Sequence, residues 1–154
     1  MSVLEKILNL FKEAGVPFEK YEHEPVFTSE EAAKIRNTDI SMGAKALVFY
    51  ADSKPVLLVV PGDKKADSKK FKKAFGIKDL RMAAPEEVLS LTGLKVGSIP
   101  PVGKAMNLPS YFDESFKLKD KVAFNAGMHT VSIVMTAKDL IRAENPKILD
   151  LVQS

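Results

Sequence analysis

Not one of the 154 residues is cysteine, which excludes disulfide frameworks, thiolate zinc sites and a cysteine nucleophile together. That composition suits a reducing compartment. Histidine occurs only twice, as His23 and His129, without the paired spacing that metal ligands show, so the sequence offers no metal site. Long apolar runs are missing as well. The longest, Val56–Val60 and Ala46–Ala51, fall far short of the ~20 residues a membrane span needs. At the start, Glu5, Lys6, Lys12 and Glu13 interrupt the apolar residues of Met1–Ala14, so no signal-peptide core is expected. No Gly-x-Ser-x-Gly elbow, Walker loop or dinucleotide fingerprint occurs. What is present is ordinary for a folded chain: 45% hydrophobic and 28% charged residues, with 9 prolines. This excludes a disordered or collagen-like polymer. The length fits one domain. A soluble, cytoplasmic single domain over residues 1–154, with no membrane partner, is the expectation.

Net charge is a mild +3, but it is unevenly spread. Between Asp63 and Lys78 stand Lys64, Lys65, Lys69, Lys70, Lys72, Lys73 and Lys78 against only Asp63 and Asp67, a local excess of five. The rest of the chain is therefore slightly acidic. Two readings stay open: a patch that binds phosphates, or a solvated helix face whose buried side is Phe71, Ala74 and Phe75.

Val3, Ile7, Leu10, Phe11 and Ala14 recur at helical spacing, closed by Gly15 and Pro17. Phe18–His23 alternates as a short strand. Thr28-Ser29-Glu30-Glu31 forms a capping box that opens a helix through about Arg36. Ala44–Tyr50 and Val56–Val60 are β-rich runs separated by Asp52-Ser53-Lys54-Pro55, a hairpin signal. Both are apolar on successive residues, so both faces should be covered. Asp67 caps the lysine-rich helix, which ends at Gly76. A strand around Leu80–Ala83 follows, then a helix with Pro85 at its first position and Gly93 past its end. Leu94–Pro109 has no periodicity and holds Gly97, Pro100, Pro101, Gly103 and Pro109; stiff loops of this kind are usually functional. Strands are expected near Tyr111, Val122–Phe124 and Thr130–Met135. Two helical pieces should close the chain, one capped by Thr136 and one running from Pro146 through Leu149 and Val152. The order predicts an α/β (α+β) fold: a mixed sheet partly wrapped by helices.

Three places could carry chemistry. Lys45 stands between Ala44 and Ala46 at the mouth of an apolar strand, on the face of Leu47 and Phe49. It can reach a ligand phosphate or carbonyl, or it can simply snorkel to solvent. The loop Gly97-Ser98-Ile99-Pro100-Pro101-Val102-Gly103 lets backbone approach a ligand while its prolines stiffen the path. Its remaining amides could hold an oxyanion, each such donor being worth ~3–4 kcal/mol; the alternative is a rigid surface turn. In Phe124-Asn125-Ala126-Gly127-Met128-His129, Asn125 could orient a substrate group and His129 could bind a ligand or move a proton. Equally, Asn125 could satisfy the turn backbone and His129 could cap a strand edge.

In order and spacing these segments resemble the YbaK/ProX family of aminoacyl-tRNA editing domains, which includes the editing insertion of bacterial prolyl-tRNA synthetases. The similarity rests on Thr28-Ser29-Glu30-Glu31-Ala32-Ala33, Lys45-Ala46-Leu47-Val48, Val60-Pro61-Gly62-Asp63-Lys64-Lys65, Gly97 to Gly103, Phe124-Asn125-Ala126-Gly127, and Met135 with Asp139-Leu140. The resemblance implies a mixed, barrel-like β-sheet flanked by helices and a hydrolase, needing no cofactor, that cleaves the ester of a mischarged tRNA. The amino acid would be of Ala, Cys or Ser type, on tRNA for proline among others. Lys45, Gly97 and Asn125 would take the family's catalytic positions. Tyr21, Phe27, Thr28, Ser98, Pro100, Pro101, Gly127 and His129 would contact substrate, and Lys64, Lys65, Lys69, Lys70 and Lys73 would contact the tRNA. Its partners would be the tRNA acceptor end and an aminoacyl-tRNA synthetase. Some bacterial relatives have Gly-Gly-x-Ser-Pro and Ser-x-Gly where this chain has Gly-Ser-Ile-Pro-Pro and Asn-Ala-Gly, a departure that bears on the amino acid removed. A non-catalytic tRNA- or synthetase-binding module, or a small-molecule sensor, would share the fold.

Overall fold

The computed structural model describes residues Met1–Ser154. Helix α1 (Val3–Ala14) starts in a capping box between Ser2 and Glu5 and stops at Gly15, whose φ of 67° a side chain would resist. Strand β1 (Glu19–Glu22) leads to α2 (Ser29–Arg36), opened by the Thr28–Glu31 capping box and closed by Asn37 in the left-handed conformation. Strands β2 (Ala44–Ala51) and β3 (Lys54–Pro61) form the hairpin. Its turn is tighter than the four-residue signal, because Asp52 and Ser53 both take positive φ and Lys54-Pro55 already pair in the ladder. Then come α3 (Ser68–Phe75), β4 (Leu80–Met82), α4 (Pro85–Thr92), β5 (Ser110–Asp113), β6 (Lys121–Asn125), β7 (Val131–Thr136), α5 (Ala137–Glu144) and β8 (Lys147–Leu149). Short 3-10 turns at Ile40–Met42, Gly103–Ala105 and Glu114–Leu118 fill the connections.

The strands make two sheets. One has the order β1-β7-β6, antiparallel throughout; the other has the order β4-β2-β3-β5-β8, with β3-β5 and β5-β8 parallel. The expected mixed sheet is therefore divided, and the two parts meet at a single bridge between Gly43 and Ala123 instead of closing as a continuous barrel. Along β3 the side chains alternate between two cores. Leu57 and Val59 join the larger core beneath α1 and β6–β7, while Val56, Leu58 and Val60 pack with Phe71 and Leu151. Both faces of the hairpin are covered, as its unbroken apolar runs require.

Two expectations are corrected. The segment after Pro146 is not helical: Asn145 ends α5 in the left-handed conformation, and residues 147–149 pair parallel to β5. Ile148 packs on the larger core, while Leu149 and Leu151 pack with the smaller one. A run this short fits either period, and the open edge of β5 decides for strand. On α3 only Phe71 is buried, whereas Ala74 is exposed and Phe75 remains 37% exposed. Phe71 and Phe75 both rest against the ring of Tyr111, with centroids at 4.9 and 5.0 Å.

Candidate functional site

A cavity of about 240 Å³ opens where the two sheets meet. One wall is α2 with its cap: Thr28, Ala32 and Arg36, four residues apart, fall on one face. Gly43 and the start of β2 through Leu47 form the opposite wall. Val96, Gly97 and Ile99 of the long loop and Ala123–Asn125 of β6 complete it. Lys45, Gly97, Asn125, Phe27 and Thr28 thus share one cavity.

The ammonium of Lys45 donates to the carbonyl of Lys64 at 2.8 Å, which ties the cavity wall to the lysine-rich segment after β3. Partial burial holds its pKa below the ordinary lysine value, opposed by the charges of Glu30 and Asp63. Gly97 has a φ of 93°, and an added Cβ would sit 3.1 Å from the Phe27 carbonyl and 3.2 Å from Nε2 of His129. Only glycine fits there without displacement. The Gly97 carbonyl accepts from the side-chain amide of Asn125 at 2.7 Å. The Ser98 amide donates within the loop to Lys95, whereas the Gly97 amide has no acceptor in the chain.

The other residues singled out in the sequence divide. His129 stacks on Phe27 with ring centroids 4.6 Å apart, and its Nε2 lies 3.0 Å from the Val96 carbonyl, so the pair flanks the cavity mouth. Ser98 is buried behind the loop, with its hydroxyl on Lys95 and its carbonyl accepting from the Gly127 amide at 3.0 Å. Pro100 and Pro101 are buried and lie outside the cavity wall. Gly127, with φ of 87°, faces Val3 and Leu4 of α1 and does not line the cavity. Tyr21 is exposed on β1, bonded to Glu19, and does not line the cavity. Lys64, Lys65, Lys69 and Lys73 are exposed. Lys70 is engaged by Asp150 at 2.9 Å and by the Val152 carbonyl at 2.6 Å.

Sequence reasoning missed Arg36. Its Nε donates to the Ser132 hydroxyl at 2.8 Å and its Nη2 to Oδ1 of Asn125 at 2.9 Å. No carboxylate stands within ion-pair reach of it. Burial without such a partner lowers its pKa to about 10. Ser132 is fully buried and lies opposite both Tyr21 and Asn125 in the ladders. Nδ1 of His23 faces the Glu24 carbonyl at 2.7 Å, so in the neutral ring it donates there and Nε2 accepts the Ser132 hydroxyl hydrogen at 2.7 Å. Ser132 and Asn125, both distant in sequence, thus brace one guanidinium, with His23 behind Ser132. The signal was available: Arg36 is the third member of the Thr28–Ala32–Arg36 stripe.

The family model described as the aminoacyl-tRNA editing domain matches residues 23–143. The chain belongs to that family. Every residue lining the cavity lies inside the matched part of the editing domain. The editing domain is 31% identical over 151 residues to the "Multifunctional Ser/Thr-tRNA deacylase ProXp-y" of Escherichia coli (strain K12), covering 95% of this chain and 90% of that protein. It is 40% identical over 92 residues to the proline–tRNA ligase of Solidesulfovibrio magneticus, a match covering 59% of this chain and 16% of that ligase. Among solved structures, a candidate trans-editing enzyme for prolyl tRNA synthetase superposes with a TM-score of 0.83 at 27% identity, covering 100% of this chain and 99% of that one. No helix of the editing domain is long and apolar enough to cross a membrane.

Proposed function

We propose that this chain is a trans-editing deacylase that hydrolyses the ester between a wrongly attached small amino acid and the 3′ end of a tRNA, acting in the cytoplasm beside a synthetase such as that for proline. A similar protein of nearly the same length bears the name of a tRNA deacylase, and a stretch of proline–tRNA ligase shares the sequence. The chemistry has a clear purpose. A synthetase pocket rejects a substrate one methylene smaller by only ~1–3 kcal/mol, so accuracy requires a second, hydrolytic sieve.

The observation that carries this reading is the cavity lined by both Lys45 and Gly97, together with a Gly97 amide that has no acceptor in the chain. The acceptor end enters with its aminoacyl group foremost, past Phe27 and His129. A water oxygen attacks the ester carbonyl carbon, and the Gly97 amide donates to the oxyanion that forms. The bond to the ribose oxygen then breaks, that oxygen takes up a proton, and a free amino acid and an intact tRNA leave. Such a reaction needs positioning and an oxyanion donor more than a strong base. Lys45, with two donors beyond the one given to Lys64, contacts the adenosine phosphate or the aminoacyl carbonyl. Exposed Lys64 and Lys65 extend the positive charge outward along the tRNA.

The test is deacylation of a panel of mischarged tRNAs, with Lys45→Ala as the variant. A folded Lys45→Ala protein is expected to lose about a hundredfold in kcat/KM. Full activity in that variant removes Lys45 from the mechanism. A wild-type chain that binds tRNA but hydrolyses no substrate is a binding module instead.

A further inference from the structure

The cavity lining carries two cations on opposite walls, Arg36 on α2 and Lys45 on β2, and no aspartate or glutamate. The charges of Glu30 and Asp63 act on Lys45 from outside that lining, whereas Arg36 has no acid within ion-pair reach. A lining of this kind attracts an anion.

The hydrogen bonds of Arg36 define the shape of that anion. Nε donates to the Ser132 hydroxyl and Nη2 to Oδ1 of Asn125, and these two acceptors stand 3.4 Å apart. They therefore share one edge of the planar guanidinium, the edge bounded by Nε and Nη2. The other edge, with N–H groups on Nη1 and Nη2, has no partner in the chain. Two parallel donors in one plane match a group with two charged oxygens, a carboxylate or a phosphate, as a bidentate pair. Both acceptors are themselves held, Ser132 in the β6–β7 ladder and Asn125 by the Gly97 carbonyl, so the fork is set before a guest arrives.

On the 3′ end of an aminoacyl-tRNA the ribose and adenine are uncharged, and the α-amino group is a cation. The anion nearest the ester is the phosphodiester on the 5′ side of the terminal ribose, only a few covalent bonds away. A guest whose ester enters this cavity carries that phosphate with it. We infer that Arg36 binds the phosphodiester of the terminal nucleotide through its Nη1–Nη2 edge, which leaves Lys45 for the aminoacyl carbonyl. The inference rests on the reading that the cavity receives the 3′ end of a tRNA, and it adds the residue that anchors the nucleotide.

The experiment compares two small esters of the same amino acid, one on adenosine and one on adenosine 5′-methylphosphate, which restores a single phosphodiester. The amino acid is the one that the wild type removes fastest from tRNA. The wild type is expected to favour the phosphodiester ester by about tenfold or more, in KM rather than in kcat. Arg36→Met is expected to bring that ratio close to one, and Arg36→Lys, a point charge without a fork, to recover only part of it. Calorimetric binding of adenosine 5′-methylphosphate against adenosine reads the same preference without hydrolysis, and there Lys45→Ala should keep it. Equal wild-type handling of the two compounds in both assays overturns the inference even if no variant folds. A folded Arg36→Met that retains the preference overturns it too; if that variant also escapes inhibition by the free amino acid, the fork reads the product carboxylate instead. A wild type that hydrolyses neither ester nor any mischarged tRNA, yet binds the phosphodiester compound preferentially through Arg36, overturns the deacylase reading and leaves this assignment standing.

Discussion

The side-chain amide of Asn125 donates to the carbonyl of Gly97 at 2.7 Å, joining the end of β6 to the long loop 28 residues earlier. The opposite end of the same amide accepts from Arg36 at 2.9 Å. Asn125 is thereby a positioning residue, since both ends of the side chain hold other parts of the cavity. Asn125→Asp separates the two tasks. The carboxylate keeps, and strengthens, the contact with Arg36, but it has no hydrogen to offer Gly97. Deacylation is expected to fall by about tenfold to a hundredfold, because small displacements of a catalytic loop have effects of that order. Unfolding free energy should change by no more than about 1 kcal/mol, since one neutral bond is lost and one ionic bond gained. Denaturant melts alongside kcat and KM check both halves. A variant with full activity would show that the loop needs no tether.

Much of the fold was legible in the sequence because its signals are local. The Thr28–Glu31 box, the Asp67 cap and the left-handed Gly15, Gly76 and Gly93 fix helix ends within a few residues of chain. Lys45, Gly97 and Asn125 could be singled out because each breaks a local pattern: a cation in an apolar run, a glycine in a stiff loop, a polar residue at a strand end. Arg36 breaks none. An arginine in the last turn of a helix is ordinary, and its meaning comes only from Ser132, 96 residues away, and from the missing carboxylate. The last strand was hidden for a related reason, since Lys147–Leu149 has too few residues for periodicity and is defined by the edge of β5. Tyr21 shows the converse: its strand was expected, but which face of the sheet borders the cavity depends on how the two sheets meet.

Glu144 supplies a pH dependence with a definite sign. Its carboxylate is almost fully buried and accepts from the amides of Gly103 and Lys104 at 2.8 and 3.2 Å and from the Ser110 hydroxyl. These bonds hold the 3-10 turn at Gly103–Ala105 against α5. Burial nevertheless raises its pKa above the ordinary glutamate value, with the hydrogen bonds opposing the shift. The folded state therefore binds this proton more tightly than the unfolded chain. The corresponding stabilisation is complete below the unfolded pKa and is lost as pH rises through the raised folded value. Glu144→Gln cannot titrate. The stability of the wild type relative to this variant is expected to decrease as pH rises from the ordinary glutamate value of 4.5 through the folded one, then level off. Chemical denaturation of both proteins at a series of pH values measures it, and a relative stability that climbs with pH contradicts the assignment.

The lysines of α3 should separate into two functional kinds. Lys69 and Lys73 are exposed, and neither forms an ion pair, whereas Lys70 bonds Asp150 and the Val152 carbonyl. That second set of contacts fastens the C-terminal segment beside α3, where Val152 also bridges Ala66. Under the editing reading, exchanging Lys69 and Lys73 for glutamine should weaken tRNA binding without lowering stability. The slope of log K against log salt should become shallower by about 1.4–1.8, as expected for two lost phosphate contacts at ~0.7–0.9 each. Lys70→Gln should instead lower the melting temperature by a few degrees, since it leaves Asp150 unpaired and frees the C-terminal segment, with little change in the salt slope. Filter binding at several salt concentrations, paired with thermal melts of the same three proteins, distinguishes the two roles. If all three lysines shift the slope equally, Asp150 does not withhold Lys70 from the nucleic acid, and the division drawn from its ion pair fails.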